Sequence, residues 1–219
     1  MTALLVTGTD TNVGKTFVAC ALVHALRARR RRVTVMKPVE TGVRDDVPED
    51  AAALQAAAAD LAPLDEVCPV RLRAPLAPSV AARLEGRTLD PDMLVRQVAR
   101  RAADADVLVV EGAGGLLVPI AGAFTFADLA RRAALPLLVV AANRLGTVNH
   151  TALTARVAEA AGLRVLGFVL SQPQPHADPS AASNAEEIVA LTGLRCLGVL
   201  PHLAAPTLAA PLLDLACLD

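Results

Sequence analysis

The sequence predicts an α/β protein in which a mostly parallel sheet is covered by helices on both faces, with all 219 residues in one domain. Two patterns support this fold class. Short apolar runs rich in Val and Leu alternate along the chain with segments of helical spacing. These runs are apolar at consecutive positions, which is typical of parallel strands that are buried on both faces. The chain is also long enough to bury one substantial core.

The predicted strands and helices alternate along the chain. Apolar runs bounded by polar turns predict strands at residues 3–7, 33–36, 107–110, 137–141, 165–170 and 196–200. Helical spacing predicts helices at residues 16–29, 49–59, 91–105, 125–133, 148–161 and 182–191. Residues 68–87 are rich in proline and lack a clear period, so we expect a long ordered loop over the site, and the tail from Pro201 is irregular. Ligands of such a sheet bind beyond the carboxyl ends of its strands.

Composition and charge argue against several classes of protein. The formal net charge is -1, so nucleic-acid binding is not expected, although the arginines at positions 27 and 29–32 could form a basic patch instead of a solvated helix end. The apolar runs are far shorter than the roughly 20 residues that cross a bilayer. The first residues also lack the zones of a signal peptide, so we expect a cytoplasmic protein. The widely spaced Cys20, Cys68, Cys196 and Cys217 are interpreted as reduced core or surface thiols.

A phosphate-binding loop follows the first predicted strand. Residues 8–16 read Gly-Thr-Asp-Thr-Asn-Val-Gly-Lys-Thr and lead into a helix, which is the context of a Walker A loop. In such a loop, backbone N–H groups bind phosphate oxygens, Lys15 reaches the terminal phosphates and the Thr16 hydroxyl ligates magnesium. Five residues instead of four separate Gly8 from Gly14, so Thr9 stands in the place of the first glycine. The alternative is a chance Gly-Lys-Thr at a helix start.

Two further charged residues end predicted strands at the same edge of the sheet. Glu111 ends Val-Leu-Val-Val-Glu and could reach a metal ion that bridges phosphates, although by itself it is equally typical of an ordinary polar strand end. Lys37 follows the second strand, in Lys-Pro-Val-Glu-Thr-Gly. Because Lys15 and Lys37 would repel each other near one phosphate site, the pair fits a substrate that becomes an anion. Taken alone, Lys37 is typical of a solvated lysine before a turn.

The motifs together resemble one family of enzymes, the dethiobiotin synthetases, over nearly the whole chain. The resemblance rests on residues 8–16, on Lys-Pro-Val at 37–39, on Asp-Ala-Ala-Ala-Leu-Gln at 50–55, on Val-Glu-Gly-Ala-Gly-Gly at 110–115 and on Leu-Gly-Thr-Val-Asn-His-Thr-Ala-Leu-Thr at 145–154. It implies a P-loop NTPase fold and an enzyme that converts 7,8-diaminononanoate, CO2 and ATP into dethiobiotin. In the implied reaction one amine is carboxylated, ATP phosphorylates the carbamate, and the second amine displaces phosphate.

The resemblance also implies which residues form the site. Lys15 and Lys37 are the expected catalytic residues, and Thr16, Asp50 and Glu111 the expected Mg2+ ligands, although Asp50 by itself is typical of a helix N-terminal acid. The implied nucleotide-binding set further contains Asn12, Val13, Gly14, Phe17, Gly112, Ala113 and Gly114, and on the base side Ser171, Gln172, Pro201, His202 and Leu203.

Substrate binding is implied for two groups of residues. Thr11, Thr41 and Gly115 are expected to contact the substrate near the phosphate loop. The family's active site lies at the interface of a homodimer, where a helix start receives the substrate carboxylate. Backbone N–H groups of Thr147, Val148 and Asn149 could do this here. Asn149 and His150 could otherwise be plain capping and packing residues.

The pattern changes on the base side, and other classes of P-loop protein remain alternatives. Many members of the family have Asn-Asp where this chain has Ser171-Gln172, so we predict loose selection of the base. A regulatory ATPase of the partitioning or metallochaperone type is the main alternative, but residues 9–12 lack the extra lysine usual in those loops. Asn-Arg-Leu-Gly at 143–146 lacks the Asp with which a GTPase reads guanine, and the chain is too short for an added glutaminase domain.

Overall fold

The structure, a computed structural model, describes residues 2–176 and 178–218. Its strands are β1 (Thr2–Gly8), β2 (Val33–Met36), β3 (Val39–Thr41), β4 (Val70–Leu72), β5 (Val107–Gly115), β6 (Pro119–Ala121), β7 (Phe124–Thr125), β8 (Leu137–Ala142), β9 (Val165–Ser171) and β10 (Cys196–Leu200). Its helices are α1 (Lys15–Ala28), α2 (Glu49–Ala58), α3 (Leu64–Val67), α4 (Pro78–Leu84), α5 (Pro91–Ala103), α6 (Phe126–Arg132), α7 (Thr147–Ala160), α8 (Asn184–Thr192) and α9 (Pro206–Ala209). Two 3-10 turns lie at Pro179–Ala182 and Ala210–Leu212.

Six of these strands form one parallel sheet in the order β10-β9-β8-β1-β5-β2. The predicted fold class is therefore confirmed, and each of the six predicted sheet strands is present. The chain first builds the side of the sheet that contains β5 and β2, and then the side that contains β8, β9 and β10. Because the order reverses beside β1, a crevice opens at the carboxyl end of that strand, which is where ligands of open α/β sheets bind.

Alternate side chains of the sheet contribute to cores on opposite faces. Leu4 and Val6 of β1 pack in one cluster with α1 and α2, whereas Leu5 packs in another with α5 and α6. This separation follows from the strand geometry, since successive side chains point to opposite sides. On the latter face, Ile188 of α8 packs on β8 and β9. The continuous apolar runs of the sequence are thus explained by helices on both faces.

The segment 68–87 differs from its predicted form as a long loop. It contains β4, which pairs in parallel with β3, and the helix α4. Pro78 is the first residue of α4, where its missing N–H costs no hydrogen bond, so this proline starts a helix instead of preventing one. The tail likewise contains α9 and a 3-10 turn, and Leu213, Leu215 and Leu218 are buried against the α1 side of the sheet.

Two further observations concern the sequence expectations about location and thiols. No helix in the described part of the chain is both long enough and apolar enough to span a membrane. The cytoplasmic location stays a prediction. The four cysteines are free thiols, and burial raises the pKa of Cys20 and of Cys68 to about 12, which keeps both protonated.

Candidate active site

The phosphate-binding loop joins β1 to α1 at the centre of the sheet edge. Gly14 precedes the helix with a φ of 86°, in the left-handed region that favours glycine. Gly8 is needed for a different reason, because a Cβ there would lie 2.7 Å from the carbonyl oxygen of Asp10 and 3.0 Å from Lys15 Nζ. The loop therefore has no room for a side chain at either glycine. The one residue by which this loop exceeds the usual Walker A pattern lies between Gly8 and Gly14.

Lys15 lies folded back against the loop. Its Nζ donates a hydrogen bond to the carbonyl oxygen of Asp10 at 2.9 Å, and the side chain is buried. Burial, together with the nearby positive charge of Lys37, lowers the pKa of Lys15 to about 8. An anion bound beside it would favour its charged form.

Lys37 is the centre of a charged cluster in which Glu111 is also buried, whereas Asp50 and Thr16 are partly exposed. Its Nζ donates to Glu111 Oε1 at 2.5 Å, to Asp50 Oδ2 at 2.8 Å and to the carbonyl oxygen of Gly112 at 3.3 Å. The Thr16 hydroxyl donates to the same Glu111 oxygen at 2.8 Å. Residues from four places in the sequence therefore meet at one point. The interpretation of Lys37 as a solvated lysine is wrong, since it is only 2% exposed.

The charges of this cluster stabilise one another. Burial opposes the charge of Lys37, but the carboxylates of Glu111 and Asp50 outweigh it and raise the pKa of Lys37 above its usual range. Partial burial likewise disfavours the Asp50 carboxylate, yet Lys37 holds the pKa of Asp50 below its usual value. The ammonium group of Lys37 and the carboxylate of Asp50 therefore stay ionised together at neutral pH. All three N–H donors of Lys37 are used within the protein.

Glu40 positions Asp50 in this cluster. Its two carboxylate oxygens accept hydrogen bonds from the backbone N–H groups of Asp50 and Ala51, each at 3.0 Å. These N–H groups belong to the first turn of α2, where they have no partner inside the helix. Because burial disfavours its charge, the pKa of Glu40 is raised despite these bonds. In the sequence analysis Glu40 was only part of a motif and had no assigned role.

The donor set fits a magnesium ion. Glu111 is completely buried, and its Oε2 atom has no hydrogen-bond partner in the described structure, which is a position that a cation could satisfy. Hydroxyl and carboxylate oxygens are the hard ligands that Mg2+ prefers. Within residues 2–176 and 178–218, three or more acidic, His or Cys side chains nowhere converge on one metal position. A magnesium ion here would thus complete its shell with phosphate oxygens and water, as is usual in phosphoryl-transfer sites.

A cleft of about 820 Å3 lies over the loop and the charged cluster. This volume is within the range of small-molecule sites. The cleft brings together many of the predicted residues, namely Thr11, Asn12, Gly14, Lys15, Thr16, Phe17, Lys37, Thr41, Asp50, Glu111, Ala113 and Gly114. Gly112 and Gly115 belong to β5 behind these residues, and Gly115 pairs with Gly8 of β1. Pro75 to Pro78 also line the cleft, and they belong to the segment 68–87 that was expected over the site. Val118, Pro173 and Gln174 complete this lining and were not predicted from the sequence.

Other predicted residues lie away from the cleft of the same chain. Thr147, at the start of α7, lines a separate small depression behind the loop with Asp10 and His150, while Asn149 is exposed. On the base side, Pro201 and His202 are exposed after the end of β10, and Leu203 packs partly against the core. Gln172 is partly exposed, and its backbone N–H donates to the carbonyl oxygen of Leu200. Ser171 is buried and donates its hydroxyl hydrogen to the carbonyl oxygen of Val13.

Comparison with protein families and with named relatives shows which family the chain resembles. A family model described as an AAA domain matches residues 2–209. The ATP-dependent dethiobiotin synthetase BioD of Anaeromyxobacter dehalogenans strain 2CP-1 is 50% identical over 201 residues, which cover 92% of this chain and 90% of the relative. The enzymes of the same name from Aquifex aeolicus and Bacillus subtilis are 42% and 36% identical, covering 88% and 93% of this chain and 86% and 89% of the relatives.

Solved structures support the fold at much lower identity. The MinC:MinD cell division protein complex of Aquifex aeolicus contains a chain that matches with a TM-score of 0.59 at 12% identity, covering 93% of this chain and 82% of that chain. Chloroplast FtsY from Physcomitrella patens matches with a TM-score of 0.53 at 18% identity, covering 95% and 64%. At such identities the likeness concerns the fold alone.

The fold and the loop between β1 and α1 define a P-loop nucleotide-binding protein of the α/β class. Within that class, the chain belongs to the family of ATP-dependent dethiobiotin synthetases. The resemblance inferred from the motifs is therefore confirmed, as is the expectation that the protein is an ATP-dependent enzyme, a ligase.

Proposed function

We propose that the chain converts 7,8-diaminononanoate, CO2 and ATP into dethiobiotin, ADP and phosphate, through a carbamate and a carbamic-phosphoric anhydride. The observation that carries this proposal is the charged cluster in which Lys37, Glu111, Asp50 and Thr16 meet beside the phosphate loop. A carbamate oxygen attacks the terminal phosphorus of ATP, and ADP leaves. The second amine then attacks the carbamate carbon, so that the ring closes and phosphate leaves.

The role of the two lysines in this proposal is to neutralise charge that moves during transfer. Catalysis of phosphoryl transfer consists largely of positioning and electrostatic stabilisation. Lys15 is at the phosphate loop, and Lys37 faces the same cleft with its ammonium group held by two carboxylates. To contact a carbamate, Lys37 must release at least one of its three present acceptors. Bound by Thr16, Asp50 and Glu111, Mg2+ would supply further positive charge at the phosphate oxygens.

The substrate is proposed to lie between two copies of the chain. Thr11, Thr41 and Gly115 lie near the phosphate loop on one side. The backbone N–H groups at the start of α7 are candidates for the substrate carboxylate, because a helix N-terminus favours an anion. In the described residues, neither Thr147 nor Asn149 lines the cleft of its own chain. In a homodimer with a shared site, these groups would instead reach the cleft of the partner subunit.

Mixed dimers test the shared site. A Lys15→Ala subunit combined with an Asn149→Asp subunit should regain part of the activity, because one of the two sites would then draw intact residues from both chains. Each variant mixed with itself is the control and should stay inactive. No recovery in the mixed sample, with mixed dimers verified by mass, would count against a site shared between subunits.

The reaction itself is tested by detecting its product and by measuring whether phosphate release depends on the diamine substrate. Purified protein is incubated with diaminononanoate, bicarbonate, magnesium and ATP, and dethiobiotin is sought by mass spectrometry. Phosphate release should require the diamine, because the phosphoryl acceptor forms only from amine and CO2. Lys15→Ala is the negative control. Rapid phosphate release without diamine, unchanged by its addition, would instead favour the regulatory type of P-loop ATPase.

A further inference from the structure

Ser171 makes a hydrogen bond that links a distant strand to the phosphate loop. It is the last residue of β9, and its hydroxyl donates to the carbonyl oxygen of Val13 at 2.7 Å. The two residues are 158 positions apart in the sequence, and β8 lies between β9 and β1 in the sheet. Ser171 is only 3% exposed, so water does not readily replace this bond. The bond therefore reaches past β8 and holds one peptide group of the phosphate-binding loop.

The orientation of that peptide group decides what the loop presents to the cleft. In a trans peptide the carbonyl and the following N–H point in opposite directions. Cis peptide bonds are absent from residues 2–176 and 178–218. Because the Val13 carbonyl points toward Ser171, the N–H of Gly14 is turned away from Ser171, and Gly14 lines the cleft. A reversed peptide would instead turn a carbonyl oxygen away from Ser171 and remove a donor from the phosphate site.

The loop needs such an anchor because its backbone is unusually free at this point. Glycine adopts positive and negative φ with similar ease, and Gly14 has a φ of 86°. The contact is also close, since a Cβ added to Gly14 would lie 2.4 Å from Ser171 Oγ. Gly14 and Ser171 thus fit each other, and the hydroxyl hydrogen of Ser171 is committed to Val13.

We propose that Ser171 is a positioning residue that holds the Val13–Gly14 peptide in the orientation that binds phosphate. This inference rests on the proposed binding of nucleotide phosphates by the loop. It differs from the role expected at this position from the sequence, which was contact with the nucleotide base. A positioning role predicts an effect that depends on the phosphates and is independent of the base.

The test is Ser171→Ala, with dissociation constants measured for ATP, GTP and CTP, and for tripolyphosphate by competition. Losing one hydrogen bond should weaken all of these ligands by a similar factor, about three- to tenfold. Thr34→Ala is the matched control, because it removes a hydroxyl that also donates to a backbone carbonyl, that of Arg101, away from the cleft. Its affinities should stay within about twofold of the original chain.

The possible results separate the explanations. Equal losses for the three nucleotides and tripolyphosphate support the anchor. A loss confined to ATP would assign Ser171 to the base and overturn the proposal, as would unchanged affinities for every ligand. Because these measurements do not require turnover, a failure to form dethiobiotin would refute the proposed reaction without altering the result for Ser171.

Discussion

The two ends of the cleft differ in how their side chains are held. At the phosphate end, the buried Lys37 and Glu111 are hydrogen-bonded to each other at 2.5 Å, and to Asp50 and Thr16, respectively, at 2.8 Å. At the other end, which we predict to be the base end, β9 leads into the exposed residues Pro173 and Gln174 of the cleft. Pro201 and His202, which follow β10 outside the cleft, are exposed as well. Both ends belong to the same sheet edge, so the fold alone does not explain the difference.

The difference indicates where the protein specifies its chemistry. A buried ionic cluster is costly unless each charge is compensated, so a substitution in it affects both stability and function. Exposed groups at the base end lose little when a ligand fails to match them, because water satisfies them instead. We therefore expect substitutions at the phosphate end to have large effects and changes of the base to have small ones.

The largest effect is expected for Lys37→Gln. Turnover should fall by about a hundredfold or more, because a positive charge that stabilises the transferring group is lost. Nucleotide binding should change much less. The substitution also leaves the buried Glu111 without its cation and can destabilise the protein. Turnover from steady-state kinetics is therefore compared per amount of folded protein, which is measured by circular dichroism.

Arg101→Gln is the matched control for that stability effect. It breaks another buried ion pair, with Asp60, which is not part of the cleft. It should destabilise the protein without the hundredfold loss of turnover. If Lys37→Gln keeps turnover within a fewfold of the original chain, the ammonium group has no catalytic role.

A smaller effect is expected for Glu40→Ala, which tests whether the hydrogen bonds that orient Asp50 matter. Turnover should fall about tenfold, and more magnesium should be needed for half-maximal rate, because Asp50 would be less well placed. The first turn of α2 would also lose its cap, at a cost of about 1 kcal/mol in unfolding free energy. Glu40→Gln keeps one acceptor oxygen, so its turnover and stability should lie between those of the original chain and those of Glu40→Ala.

Glu49→Ala provides the comparison for Glu40, since Glu49 is an exposed acid in the same turn of α2. It should leave both turnover and the magnesium titration nearly unchanged. A drop in melting temperature for Glu40→Ala with an unaltered magnesium titration would mean that Glu40 only caps the helix.

The contrast between the two ends also explains what the sequence could predict. The Walker A loop and Lys37 follow buried strands directly, and Glu111 follows the apolar run at the start of β5, so the parallel fold brings them to one edge. Asp50 is different, because it was assigned only through the resemblance to a family. Its contact with Lys37 depends on how the segment between β3 and α2 folds back.

The remaining features depend on contacts that no local pattern encodes. The bond from Ser171 to Val13 joins residues 158 positions apart, and the cap that Glu40 provides depends on where α2 packs. In the segment 68–87 the prolines obscured β4 and α4, although Pro78 is well suited to the first position of a helix. Local signals thus predicted the strand-end residues, whereas the tertiary arrangement decided which side chains orient them.

The smallest effect is expected when the nucleotide base is changed. Selectivity requires polar groups fixed against the base edge, so that a wrong base leaves them unpaired. The hydroxyl hydrogen of Ser171 is donated to Val13, Gln172 is partly exposed, and His202 is exposed. The phosphates should therefore dominate affinity. We expect kcat/KM for ATP, CTP and GTP to agree within about tenfold, or ~1.4 kcal/mol, at equal magnesium.

The same measurement on Ser171→Ala sharpens the comparison between the two ends. If the phosphate end alone is weakened, kcat/KM should fall for each nucleotide while the ratios among the three stay as they were. A preference of the original chain for ATP above about a thousandfold would contradict loose recognition, because a difference of that size requires hydrogen bonds to the base itself. Such a result would mean that the exposed residues after β9 and β10 become ordered around adenine, and the base end would then resemble the phosphate end in the nucleotide complex.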